Sequence, residues 1–165
     1  MNKTLKLLPS LMLIIFIILS LIDRSDYALE KKLWRFQRQI SELAQEGRIV
    51  PGKEYEDMAD RCQDLIQKNP HSYLLPQMYM LMAEIDMLKK DVDKARANYA
   101  LVLERFPQQL DICAKALMAI GETYLAQRKW DEAIQFYQTF IQKHPGYPLN
   151  NGLKIAIVYL QAAKK

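Results

Sequence analysis

The chain has 165 residues, half of them apolar, with five glycines and a formal charge of +4. One domain's length with that apolar share supplies a core, and a composition led by Leu, Ile, Ala, Met, Gln, Lys and Glu, poor in β-branched runs beyond the N-terminus, points to helices rather than sheet. Lys3 and Lys6 precede any acidic residue, so the remainder is close to neutral and offers no concentrated basic face of the kind a nucleic-acid binder carries.

Residues 7–22, LLPSLMLIIFIILSLI, carry no charge. As a helix the run spans ~24 Å against a hydrocarbon core of ~30 Å; Leu5 extends it and Lys6 can snorkel to the headgroups. A cleaved secretory signal competes with an uncleaved anchor, and a buried soluble helix is a third reading. Ser20 is small, but Ile18 stands where a cleavage site wants a second small residue, and Asp23 and Arg24 close the run. No Cys follows closely, which argues against lipid attachment. The expectation is a membrane anchor over residues 1–23 and a helical domain over 24–165. Lys3 and Lys6 favour a cytoplasmic N-terminus, whereas Arg24, Lys31, Lys32, Arg35 and Arg38 argue the other way.

In LWRFQRQISELAQ, residues 33–45, Leu33, Phe36, Ile40 and Leu43 share one face and predict a helix. The basic set Lys31, Lys32, Arg35 and Arg38 could meet anionic headgroups; Glu30 and Glu42 dilute it, so it reads first as a solvated face. GRIVPGK, residues 47–53, joins this helix to a second with Met58, Cys62 and Leu65 ahead of Pro70. Residues 79–107 then place Tyr79, Met82, Ala83 and Asp86 on one helix and Ala95, Tyr99 and Val102 on the next, ending at Pro107. Residues 117–145 repeat this with Leu117, Ile120, Gly121 and Tyr124, then Ala133, Tyr137 and Phe140, ending at Pro145. Ala95 and Ala133 are 38 residues apart, as are the two prolines. Gly121 and Ala133 are small, so two helix axes can approach there; Asp131 and Glu132 suit the N-terminal end of the second helix and Lys143 its C-terminal end. PHSYLLP, PQQLD and PGYPLN read as loops, and NGLKIAIVYLQAAKK as a last, unpaired helix. Cys62 and Cys113 read as two buried thiols on separate helices.

The spacing Leu117-x2-Ile120-Gly121-x2-Tyr124…Ala133-x3-Tyr137…Pro145, with Trp130 opening the second helix, resembles the tetratricopeptide repeat. Leu117 in place of Trp and Phe140 in place of a small residue depart from that pattern, and Asp86 replaces the aromatic in the preceding unit. The resemblance implies an all-α helix–turn–helix solenoid of about three repeats plus a C-terminal half-repeat helix, and the apolar run at 7–22 puts a single N-terminal transmembrane helix ahead of it. Residues 33–45 pair in this reading with the helix ending at Pro70. Repeats that end in a P-x-x-x break before a fresh Ala-rich helix look similar to those of bacterial envelope tetratricopeptide proteins, which implies a domain on the periplasmic side of an inner membrane.

No phosphate loop, nucleophile signature or metal-ligand cluster is present, and His71 and His144 stand alone in separate loops. Neither catalysis nor a cofactor or metal is expected. The resemblance implies instead a partner groove facing Met80, Glu84 and Met87 on one helix and Lys115, Met118 and Glu122 on the next. These methionines suit adaptable apolar contacts, or are simply packing residues. The C-terminal helix is apolar round most of its circumference, which makes Ile155, Ile157, Tyr159 and Leu160 a candidate contact for another subunit or a second copy. The function expected is a membrane-tethered scaffold or accessory subunit of an envelope complex. The alternatives are a cytosol-facing membrane adaptor with a repeat groove and, remotely, a small enzyme without a recognisable motif.

Overall fold

A computed structural model describes Met12, residues 27–43 and residues 52–164, and among the described residues the regular elements are all α-helices. The apolar run at 7–22 lies outside the described residues except for Met12, and among the described residues no helix is long and apolar enough to cross a membrane. The chain divides into two units, Met1–Ile49 and Val50–Lys165.

In the first unit, helix α1 covers residues 27–43. It starts six residues ahead of the expected Leu33. Leu29, Leu33, Phe36 and Ile40 form its buried stripe, and Leu43 is half-buried.

The second unit holds α2 (Gly52–Lys68), α3 (Leu75–Leu88), α4 (Val92–Arg105), α5 (Leu110–Ala126), α6 (Trp130–Lys143) and α7 (Asn150–Ala163). Each packs on the next, and α3 also touches α5, so helix pairs stack in chain order. Four of these helices begin inside stretches that read as loops in the sequence: Gly52, Leu75, Leu110 and Asn150 open α2, α3, α5 and α7. For α3 the cause is plain. Leu74, Leu75 and Pro76 are buried, and Pro76 sits in the first turn, where its missing N–H costs nothing.

The turns inside the pairs α3–α4 and α5–α6 are copies of each other. Lys90 and Arg128, 38 residues apart, both take left-handed backbone, with φ of 63° and 57°. The N–H of Asp91 donates to the carbonyl of Asp86 at 2.8 Å, and that of Lys129 to the carbonyl of Tyr124 at 2.9 Å. The N–H groups of Lys90 and Arg128 donate to Met87 and Leu125. This is a Schellman closure, which satisfies the last carbonyls of one helix and reverses the chain within three residues.

The pairs are held by buried apolar contacts. Leu117, Ala133, Ile134, Tyr137, Leu153, Ile157 and Leu160 form one cluster across α5, α6 and α7, with half-buried Trp130, Phe136 and Phe140 packed against it. The close approach expected at Gly121 and Ala133 is there, but the group seated on Gly121 is the Tyr137 ring. Between pairs, Arg96 of α4 reaches α5: its guanidinium donates to Thr123 Oγ1 and Gln127 Oε1, both at 3.0 Å, and stands 4.0 Å from the Tyr124 ring centroid.

Both cysteines are buried, free thiols. Cys62 Sγ donates to the Met78 carbonyl, and burial, with the charges of Asp86 and Glu84, pushes its thiol up to about 12. Such a thiol is a packing group and not a nucleophile.

Candidate functional site

The open surface of the second unit follows from which helix stripes the stacking leaves over. Neighbours α2, α4 and α5 cover most of α3. What remains half-buried on it includes Gln77, Met80, Glu84 and Met87, spaced three, four and three apart, which is one helical stripe. On α5 the corresponding stripe is Asp111, Lys115, Met118 and Glu122, all exposed, with Met118 at 50 %. All six residues expected to face a groove therefore lie on these two stripes, and no methionine among them is core.

The helices that carry the two stripes, α3 and α5, touch each other. Glu84 and Glu122, 38 residues apart, both act on Tyr99 of α4. Burial, together with the charges of Glu84, Glu122 and Asp86, pushes the Tyr99 hydroxyl up to about 12. One repeat further on, burial and the charge of Glu122 raise Tyr137 in the same direction. Burial also raises the Glu84 carboxyl above its ordinary value. A hollow of about 600 Å³ is lined by Gln77, Gln109, Asp111, Ile112 and Lys115 among others, and the buried Oε1 of Gln77 has no hydrogen-bond partner. The residue two positions after Glu84 goes the other way: Asp86 is buried, and its Oδ2 accepts a 2.8 Å hydrogen bond from Asn98 Nδ2. That bond explains how a carboxylate occupies a slot where the next unit has Tyr124.

On α7 the structure divides the expected contact. Ile157 and Leu160 are buried in the cluster with Tyr137 and Leu117, because they face α6. They are core, which corrects the expectation that they are contact residues. Ile155 and Tyr159 are exposed at 58 and 71 %, and Val158, not singled out from the sequence, joins them at 63 %. Its signal was present: Ile155 and Val158 are three apart and share a face. The Lys164 ammonium reaches the Asp131 carboxylate at 2.6 Å and ties the end of α7 to the start of α6.

In the first unit, Lys31, Lys32, Arg35 and Arg38 are all exposed on α1. Arg38 pairs with Glu42 at 2.7 Å and stands over the Trp34 ring at 5.8 Å. Trp34 and Tyr27 were missed in the sequence, where an aromatic gives no sign of which way it points. His71 and His144 are exposed. His144 stacks near Phe140, with ring centroids 4.6 Å apart, beside a pocket of about 270 Å³ that Leu103, Leu110 and Tyr147 also line.

The side chains grouped on these surfaces are methionines among charged and amide residues along α3 and α5, and aliphatic and aromatic residues on α7. A search of curated proteins returns no match to the chain. Residues 115–147 match the tetratricopeptide repeat. The match runs from the middle of α5 through α6, the pair that closes where Tyr137 meets Gly121, so this helix pair is similar to a tetratricopeptide repeat.

Proposed function

We propose that the chain is a non-catalytic protein-interaction scaffold, tethered to a membrane through residues 7–22 and serving the assembly or stability of an envelope complex. The observation that carries the interaction role is the set of exposed Ile155, Val158 and Tyr159 on α7. Three large apolar side chains on one stretch of a helix are costly to leave wet, at ~25 cal/mol per Å², and a protein surface covers them. Met118 adds a flexible apolar contact on the groove side.

The tether rests on sixteen uncharged residues, 7–22, and the lack of a small-x-small cleavage pattern after them. A periplasmic location rests on the likeness of the repeats, each ending in a proline break before a fresh helix, to those of bacterial envelope repeat proteins.

Photo-crosslinkers placed at Tyr159 and Met118 in native membranes test the interaction role. A discrete protein adduct at either position, absent from a crosslinker at exposed Gln138 on α6, is the result expected. Equal labelling at all three positions overturns the reading. A C-terminal reporter active only outside the cytoplasm tests the location, and a reporter active only in the cytoplasm replaces it with a cytosol-facing adaptor.

A further inference from the structure

Helix α1 has two faces. Leu29, Leu33, Phe36 and Ile40 are buried, so its rotation about its own axis is set. The opposite side carries Tyr27, Lys31, Trp34 and Arg38 at spacings of four, three and four, a single stripe along three turns. Tyr27 is 66 % and Trp34 60 % exposed, and Lys32 and Arg35 flank the stripe, also exposed. A helix built only to face water has no use for Tyr and Trp at the centre of its outer side.

Position in the chain supplies the occupant. Five Cα–Cα steps separate Ile22, the last of the apolar run, from Tyr27. Fully extended they reach at most about 18 Å, and the headgroup layer on each side of a bilayer is on the order of 5–8 Å thick. With residues 7–22 in the membrane, α1 therefore starts beside the lipid surface. Tyr and Trp are the side chains that settle at the headgroup level, with the ring among the upper acyl carbons and the polar edge in water. Lys and Arg beside them match anionic headgroups, and the Arg38 guanidinium held over the Trp34 ring places both at one depth.

We infer that α1 lies along an anionic lipid surface on its Tyr27–Lys31–Trp34–Arg38 face, as an interfacial helix continuing from the anchor. The inference rests on the reading of residues 7–22 as that anchor. It makes α1 a second membrane contact that fixes the direction in which the chain leaves the bilayer.

The test uses the full chain in vesicles of phosphatidylcholine and phosphatidylglycerol carrying bromine on acyl carbons just below the headgroups. Trp34 and Trp130 are the two tryptophans. Emission should fall by a third or more relative to unbrominated vesicles. Trp34→Phe should abolish that quenching, and Trp130→Phe should leave it in place. Lys31→Glu with Arg35→Glu should at least halve it. No protein partner is present in this system, so the quenching reports lipid alone. A chain that floats with the vesicles but shows no quenching, or keeps it in Trp34→Phe, overturns the inference and leaves the anchor standing. A chain that does not float overturns both.

Discussion

The phenol of Tyr137 fills the space that a side chain on Gly121 would need. A β-carbon built on Gly121 would stand 2.5 Å from Tyr137 Cζ and closer still to the hydroxyl oxygen. Glycine within a helix costs ~0.5–1 kcal/mol relative to alanine, and here the cost admits a buried aromatic ring that locks α5 to α6. Gly121→Ala should therefore destabilise by about 1–3 kcal/mol in spite of better helix propensity. The penalty should shrink in a Tyr137→Phe background, because the nearest clashing atom is gone. Urea unfolding of the four proteins of this cycle measures both effects, and an unchanged midpoint for Gly121→Ala would show that the ring sits elsewhere.

Ala133 is fully buried in the same cluster, among Leu117, Ile134 and Tyr137. Ala133→Leu adds three carbons to a packed site and should cost about 1–3 kcal/mol. Thermal unfolding followed by circular dichroism checks this, and a wild-type melting temperature would contradict the pairing of α5 with α6.

The twin turns give the opposite sign. Lys90 and Arg128 hold φ near 60° without being glycine, a conformation that costs a residue with a β-carbon about 1–2 kcal/mol. Lys90→Gly and Arg128→Gly should each stabilise by about 0.5–1 kcal/mol once the greater freedom of glycine in the unfolded chain is counted. The two gains should add, since the turns share no contact. A lower urea midpoint for either variant would argue against the Schellman closure.

Burial raises the Glu84 carboxyl above its ordinary 4.5. The fold therefore binds this proton more tightly than the unfolded chain does, and the stability contributed is fully present below the unfolded value and lost as pH rises through the folded one. At neutral pH the charged group is a cost. Glu84→Gln should raise the unfolding midpoint at pH 7, and the gain should fade as pH falls below about 4.5. A gain that is equal at both pH values would show that the charge of Glu84 is not responsible.

On α7, Ile157→Ala should cost about 2–4 kcal/mol, since the side chain is buried against α6. Ile155→Lys with Tyr159→Lys should leave the melting temperature within a degree or two and abolish the crosslink from Met118 or from Val158. If the exposed pair unfolds the protein while Ile157→Ala does not, the helix has been assigned the wrong face.

By itself the sequence determined the helical class, the repeat at residues 117–145 and the positions of its small residues. These are local or strictly periodic signals: a 3.6-residue stripe, a 38-residue recurrence, a proline after each second helix. The resemblance to the repeat also singled out Met80, Glu84, Met87, Lys115, Met118 and Glu122, of which the three on α3 are half-buried and the three on α5 exposed. Helix starts at Leu75 and Leu110 were not legible, because Leu74, Leu75 and Pro76 become helical or helix-capping through burial against neighbours and carry no periodic signal of their own. Nor was the division of α7. A helix apolar round most of its circumference gives no preferred direction, and only packing on α6 decides that Ile157 and Leu160 turn inward while Ile155, Val158 and Tyr159 turn out. The same holds for Gly121: composition asked for a small residue, and only the tertiary structure named Tyr137 as the group that needs the room.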